Sequence, residues 1–151
     1  MLQAALAPER HGGLSAGVMT PIAPALAAET ARLSAFAASY DALVARLAGS
    51  GAGQQAPRVG QVFPGFALPD VHGRFHTLAD LLAGGQPLVI SFHRGLWCPW
   101  CRVESAAWGD AAAALAAAGA RLVTISGEVG GQGAALANRA GALGLVDVDL
   151  G

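Results

Sequence analysis

Hydrophobic positions follow helical spacing in the first third of the chain and fall into short runs in the remainder. From about residue 24 to 48, Leu26, Leu33, Tyr40 and Leu47 recur every seven positions, with Phe36 and Leu43 in a second row. This is the stripe of an amphipathic helix. Heptad spacing can pair a helix with another chain, but no charge pattern accompanies it, so packing on the chain's own domain is the favoured expectation. Gly49-Ser50-Gly51-Ala52-Gly53-Gln54-Gln55-Ala56-Pro57 then has the composition of a linker. Residues 1–57 are thus expected to be a helical extension and linker, and 58–151 a second unit.

Shorter patterns fill the second unit. Phe66-Ala67-Leu68 and Arg74-Phe75-His76 flank Pro69-Asp70-Val71-His72-Gly73, a turn ending in glycine, which predicts a small hairpin. Thr77-Leu78-Ala79-Asp80 has capping-box spacing and opens a short helix through Leu82. Leu88-Val89-Ile90-Ser91-Phe92 is a β-branched and aromatic run, read as a buried strand. An Ala-rich helix follows from about Pro99 to Ala118, with proline suited to its first turn and Gly119 to its end. Arg121–Ser126 reads as a second buried strand, 134–142 as a helix and Leu145–Val148 as a third strand. Strand, helix, strand, helix, strand implies right-handed crossovers and a parallel sheet. The expected class is α/β, a βαβαβ core with an N-terminal hairpin.

Composition narrows the functional classes. Ten acidic residues face nine basic ones, so no polyanionic partner is implied. Every basic residue is arginine, which together with heavy Ala and Gly usage reflects compositional bias rather than chemistry. No apolar run reaches the roughly 18 residues of a membrane helix. Pro8, Glu9, Arg10 and His11 interrupt any secretory signal, so the expected compartment is the cytoplasm. There, paired cysteines point to catalysis or metal before a structural staple.

The two cysteines, Cys98 and Cys101, are the only ones in the chain, and they fall at the strand-to-helix junction. Positions i and i+3 on a first helical turn face each other within disulfide reach. The helix N-terminus supplies unpaired N–H groups and partial positive charge, which favour the reactive thiolate. A Cys-x-x-Cys at the first crossover makes the fold thioredoxin-like. A closed zinc site needs about four ligands, and His11, His72, His76 and His93 are scattered without ligand spacing. Redox chemistry is therefore expected over a metal or an inert buried pair. His93 or Arg94 at the strand end could lower a thiol pKa as a cation; Arg102 could do the same. Glu104, one turn beyond Cys101, could relay a proton or be an ordinary helix residue. Trp97 and Trp100 are expected to pack or shield the site. Gly127-Glu128-Val129-Gly130-Gly131-Gln132-Gly133 lacks any phosphate-binding signature and reads as a flexible loop.

Several segments in order carry a resemblance: Phe63-Pro64-Gly65-Phe66-Ala67-Leu68-Pro69-Asp70, the Gly73 turn, Thr77–Leu82, Phe92-His93-Arg94-Gly95-Leu96-Trp97-Cys98-Pro99-Trp100-Cys101 with Glu104, and Gly119–Ser126. Over about residues 58–151 the chain resembles the peroxiredoxin-like branch of the alkyl hydroperoxide reductase/thiol-specific antioxidant (AhpC/TSA) family. The resemblance implies thiol-dependent reduction of hydrogen peroxide or organic hydroperoxides, with regeneration by a thioredoxin-type donor and no need of a bound cofactor; the charge balance, apolar runs and ligand spacing above already point away from nucleic acid, membrane and metal. In the family's Pro-x-x-x-Thr-x-x-Cys pattern, counted back from Cys101, Arg94 stands at the proline and Cys98 at the threonine. Glu104 matches the acidic residue after the peroxidatic cysteine. This register implies Cys101 as peroxidatic and Cys98 as resolving, whereas a thioredoxin-style reading makes Cys98 the nucleophile of a general thiol–disulfide oxidoreductase. The family pattern also continues beyond Gly151 with a cis-proline strand, a partner strand, a helix and an activating arginine. An incomplete C-terminal half is therefore expected, with Leu88–Phe92 as an exposed edge, marginal stability and a tendency to homodimerise or aggregate. A non-catalytic remnant is the third reading.

Overall fold

The computed structural model describes residues 21–129 and 131–148. The reading of Pro8 to His11 as an interrupted signal lies outside them. Eight regular α or β elements make up the unit after the linker: β1 (Ala67–Pro69), β2 (Phe75–Thr77), α3 (Leu78–Leu82), β3 (Leu88–His93), α4 (Pro99–Ala117), β4 (Arg121–Ser126), α5 (Gly131–Ala140) and β5 (Leu143–Val146). Before the linker come α1 (Ile22–Arg32) and α2 (Ala37–Gly49).

The parallel sheet runs β3-β4-β5, and β1-β2 is a separate antiparallel hairpin. Leu88 pairs with Arg121 and His93 with Ser126, so β3 and β4 end level. Val123 pairs with Leu143 across β4 and β5. A single antiparallel bridge from Asp70 to Leu145 ties the hairpin to β5. Leu81, Val123, Ile125 and Leu145 form one buried cluster, with Phe66, Leu68, Leu88, Ile90 and Leu143 against it. The apolar residues of β4 lie at its centre because this strand is flanked on both edges. The βαβαβ order and the hairpin are those expected from the sequence.

Three sequence expectations need correction. The helix over 24–48 is broken: α1 stops at Arg32, a tight 3-10 turn spans Ser34–Phe36, and α2 starts anew. The bend divides the heptad row, leaving Leu26, Leu33 and Leu43 half-buried and Tyr40 and Leu47 exposed. α1 packs on α4. The helix expected over 134–142 begins at Gly131 and ends at Ala140, and the strand expected at Leu145–Val148 is Leu143–Val146. Gly131 and Gly133 disguise the helix start because glycine is a poor helix former. It is needed there: a Cβ on Gly133 would sit 2.6 Å from the Glu128 carbonyl oxygen.

The helix expected from the capping box is present. Thr77 Oγ1 accepts from the Asp80 N–H at 3.0 Å, and the Asp80 carboxylate accepts from the Thr77 N–H at 3.3 Å. Among the described residues no helix is long and apolar enough to cross a membrane.

Candidate active site

β3 delivers the chain to the site, and a loop of five residues turns it into α4. Gly95 in that loop has φ of 145°, and a Cβ there would lie 2.6 Å from Trp97 Nε1, so only glycine fits. Cys98 is the N-cap of α4 and Pro99 its first residue. Proline costs nothing at this position, since its missing N–H would have no helical partner.

Serine, threonine, aspartate or asparagine usually caps a helix; here a sulfur does. The Cys101 N–H donates to Cys98 Sγ at 3.3 Å. Arg94 Nη2 donates to the same sulfur at 3.1 Å, while the Arg94 backbone N–H donates to Cys101 Sγ at 3.4 Å. Both thiols are free. Cys98 is 0% exposed and Cys101 6%, and both pack against Leu136 of α5.

Burial works against ionisation of Cys98. Hydrogen bonds from the Cys101 side chain and backbone, and then the hydrogen bond and charge of Arg94, outweigh it, and the thiol lies below its ordinary value. Burial pushes Cys101 up, and the hydrogen bond with Cys98 adds to this; the backbone N–H groups of Arg94 and Gly95 offset only part. The two sulfurs share one environment, and a negative charge on the pair is favoured at Cys98.

The other residues singled out in the sequence divide between two groups. Arg94 is the cation at the thiols, and its guanidinium also lies over the rings of Trp97 and Trp100, at 5.4 and 5.5 Å. His93 does not share that role: it is buried, and burial lowers its pKa despite the opposing charge of Glu104. Glu104 accepts from Ser91 Oγ at 2.7 Å, so its hydrogen bond is made to a β3 side chain rather than to sulfur. Arg102 reaches the Leu96 carbonyl at 3.5 Å and braces the loop.

Two participants were missed. Ser91, read only as part of a strand, joins Glu104, His93 and Trp108 through its hydroxyl. Glu128, assigned to a flexible loop, accepts from the Leu96 backbone N–H across the site. That loop is therefore tied to the Cys-x-x-Cys turn. A carboxylate in a glycine-rich stretch was the one available signal.

A cavity of about 1130 Å³ opens at the ends of β3 and β4, with Phe92, His93, Arg94, Trp97, Glu128 and Val129 in its wall. Arg94 is common to the cavity wall and the Cys98 contact. Chemically, the arrangement provides a thiol whose ionisation the Arg94 cation favours, a second thiol one turn away and an adjoining open space. Among the described residues no group of three or more His, Cys, Asp or Glu side chains is placed to hold a metal ion.

Curated proteins give no match to this chain. The model of the AhpC/TSA family matches residues 59–141, a stretch that takes in the hairpin, the Cys-x-x-Cys turn, α4, β4 and α5. With that match added to a parallel α/β core carrying paired thiols at its first crossover, the chain belongs to the AhpC/TSA family, as a peroxiredoxin-like protein of thioredoxin-like fold.

Proposed function

We propose that the protein is a two-thiol peroxidase acting on hydrogen peroxide or organic hydroperoxides. The observation that carries this reading is the convergence of the Arg94 guanidinium and the Cys101 N–H on the Cys98 sulfur. Both favour the thiolate, the nucleophilic form. The family register puts the first attack on Cys101, but the electrostatics favour Cys98, and Cys98 is the attacking thiol in this proposal.

The Cys98 thiolate attacks one peroxide oxygen and the O–O bond breaks. Sulfur becomes a sulfenic acid, and the departing alkoxide or hydroxide takes a proton from solvent to leave as alcohol or water. The Cys101 thiol then condenses with the sulfenic acid, forming the disulfide and releasing water. A thioredoxin-type dithiol restores both thiols by exchange and is itself oxidised. Arg94 holds charge on Cys98 and faces the cavity through which a peroxide would approach. Glu104 acts only at a distance, through Ser91.

The same thiolate supports a second reading, general thiol–disulfide exchange, in which a disulfide replaces peroxide as the electrophile. Stopped-flow reaction of the wild type, Cys98→Ser and Cys101→Ser with hydrogen peroxide separates these. The proposal expects Cys101→Ser to react once and hold a sulfenic acid at Cys98, Cys98→Ser to be inert, and the wild type to lose two hydrogens in a peptide linking the two cysteines. A sulfenic acid at Cys101 in Cys98→Ser restores the family register. A wild type inert to peroxide but active on a small disulfide establishes exchange instead.

A further inference from the structure

The helices before the linker have no role in the chemistry above, yet a chain of contacts leads from them to the sulfur. Trp100 lies between the two cysteines in the first turn of α4. Its Nε1 donates to Thr30 Oγ1 of α1 at 3.0 Å. Its ring stacks on Tyr40 of α2, with centroids 5.5 Å apart and planes at 29°. The Arg94 guanidinium lies over the same indole, and its Nη2 is on Cys98 Sγ.

Arg94 is an exposed residue on a long flexible stem, and such a side chain keeps one position only where several contacts define it. Two indole faces and one sulfur do so here. An indole is itself a useful platform only if its own rotamer is fixed. Thr30 fixes the polar edge of Trp100, and Tyr40 covers part of its ring.

We propose that α1 and α2 are a positioning element for the redox site: Thr30 and Tyr40 hold the Trp100 indole, Trp100 with Trp97 holds the Arg94 guanidinium, and Arg94 thereby stays on the Cys98 sulfur. Thr30, Tyr40 and Trp100 are positioning residues and touch no reacting atom. The inference rests on the reading of Cys98 as the thiolate. Around that sulfur the charged and titratable groups are Arg94 and Cys101, then Arg102 and Glu128 on the Leu96 backbone. α1 adds Glu29 and Arg32, and α5 adds Arg139, in the cleft beside Arg102. The Thr30 and Tyr40 substitutions below alter none of them, and only the Arg94→Leu background removes one.

The test is the pH profile of iodoacetamide alkylation on the full chain, with the labelled cysteine identified by mass spectrometry. In the wild type Cys98 is labelled first, with a midpoint below that of a free thiol. Thr30→Val with Tyr40→Ala raises the Cys98 midpoint by about half a unit, the scale of one exposed cation–π contact. Tyr40→Phe, which keeps the ring, restores the wild-type profile. In an Arg94→Leu background the same pair of changes has no further effect, because the link they act through is gone. An unmoved midpoint, or a shift that persists without Arg94, overturns the positioning role. First labelling at Cys101 in the wild type instead overturns the reading beneath it. A melt accompanies each variant; if the double variant unfolds, Thr30→Val alone decides, since it removes only the hydroxyl's two hydrogen bonds, the one from Trp100 and the one to the Leu26 carbonyl within α1.

Discussion

Ser91 has one hydroxyl hydrogen and three polar neighbours. The hydrogen goes to Glu104, so Trp108 Nε1 and His93 Nε2 both donate to the serine oxygen. This fixes His93 as the Nε2–H tautomer and leaves Nδ1 an unprotonated acceptor, buried and without a partner among the described residues. Protonating it would place a charge in a site where burial opposes it. With the folded pKa below the ordinary value of 6.5, the unfolded chain takes up the proton first. The stability that neutral His93 contributes is present above the ordinary value and is lost as pH falls toward the depressed one. The melting temperature is therefore expected to drop between about pH 7.5 and 5.5, and His93→Gln to flatten that drop. An equal drop in both proteins would assign it elsewhere. The Cys-x-x-Cys and Arg94 were legible in the sequence because local spacing carries them. Ser91 and Glu128 were not, since a hydroxyl in a strand and a carboxylate in a glycine-rich loop gain their meaning from partners brought close only by folding.

At the scale of elements, α4 and α5 approach so closely that a side chain is excluded between them. A Cβ on Gly109 would lie 2.5 Å from the Arg139 carbonyl oxygen. Nearby, Ser105 Oγ donates to the Leu136 carbonyl at 2.6 Å. In an exposed helix Gly→Ala gains about 1 kcal/mol, but here a backbone atom would have to move, at a cost of about 1–3 kcal/mol. Gly109→Ala is accordingly expected to lower stability in urea denaturation despite its better helix propensity, and a rise would mean that α5 is free to shift. The element types after the linker were readable because each buried strand is a short apolar run, and Arg121–Ser126 matches its predicted limits. The break at Ser34–Phe36 was not readable, because seven-residue spacing continues across it. The start of α5 was hidden by the same small residues that its packing requires.

Across the whole molecule, apolar surface is unevenly covered. Within the described sheet β3 has one neighbour, β4, and its other edge carries unpaired backbone groups. Phe92 on that strand and Trp97 just after it are each 62% exposed. Phe36, Val44 and Leu47 add a second exposed apolar patch on the N-terminal helices. Free edges and apolar patches promote pairing with a second copy. Light scattering of the 151-residue chain is expected to show association that grows with concentration, and Phe92→Glu to reduce it. A monodisperse monomer throughout would show that the edge is protected in solution.

The sulfur that caps α4 has a consequence for electron flow. In the dithiol form Cys98 Sγ accepts the Cys101 N–H and carries the favoured charge at the helix start. Once the sulfurs join, that charge is gone and the first turn loses its acceptor. The cap therefore belongs to the reduced protein alone, and it makes the disulfide more eager for electrons. A helix cap contributes about 1 kcal/mol, which for a two-electron couple is about 20 mV toward a more oxidising potential. The dithiol form is expected to melt above the disulfide form in matched scans. The reverse order would mean that loop closure by the disulfide outweighs the lost cap.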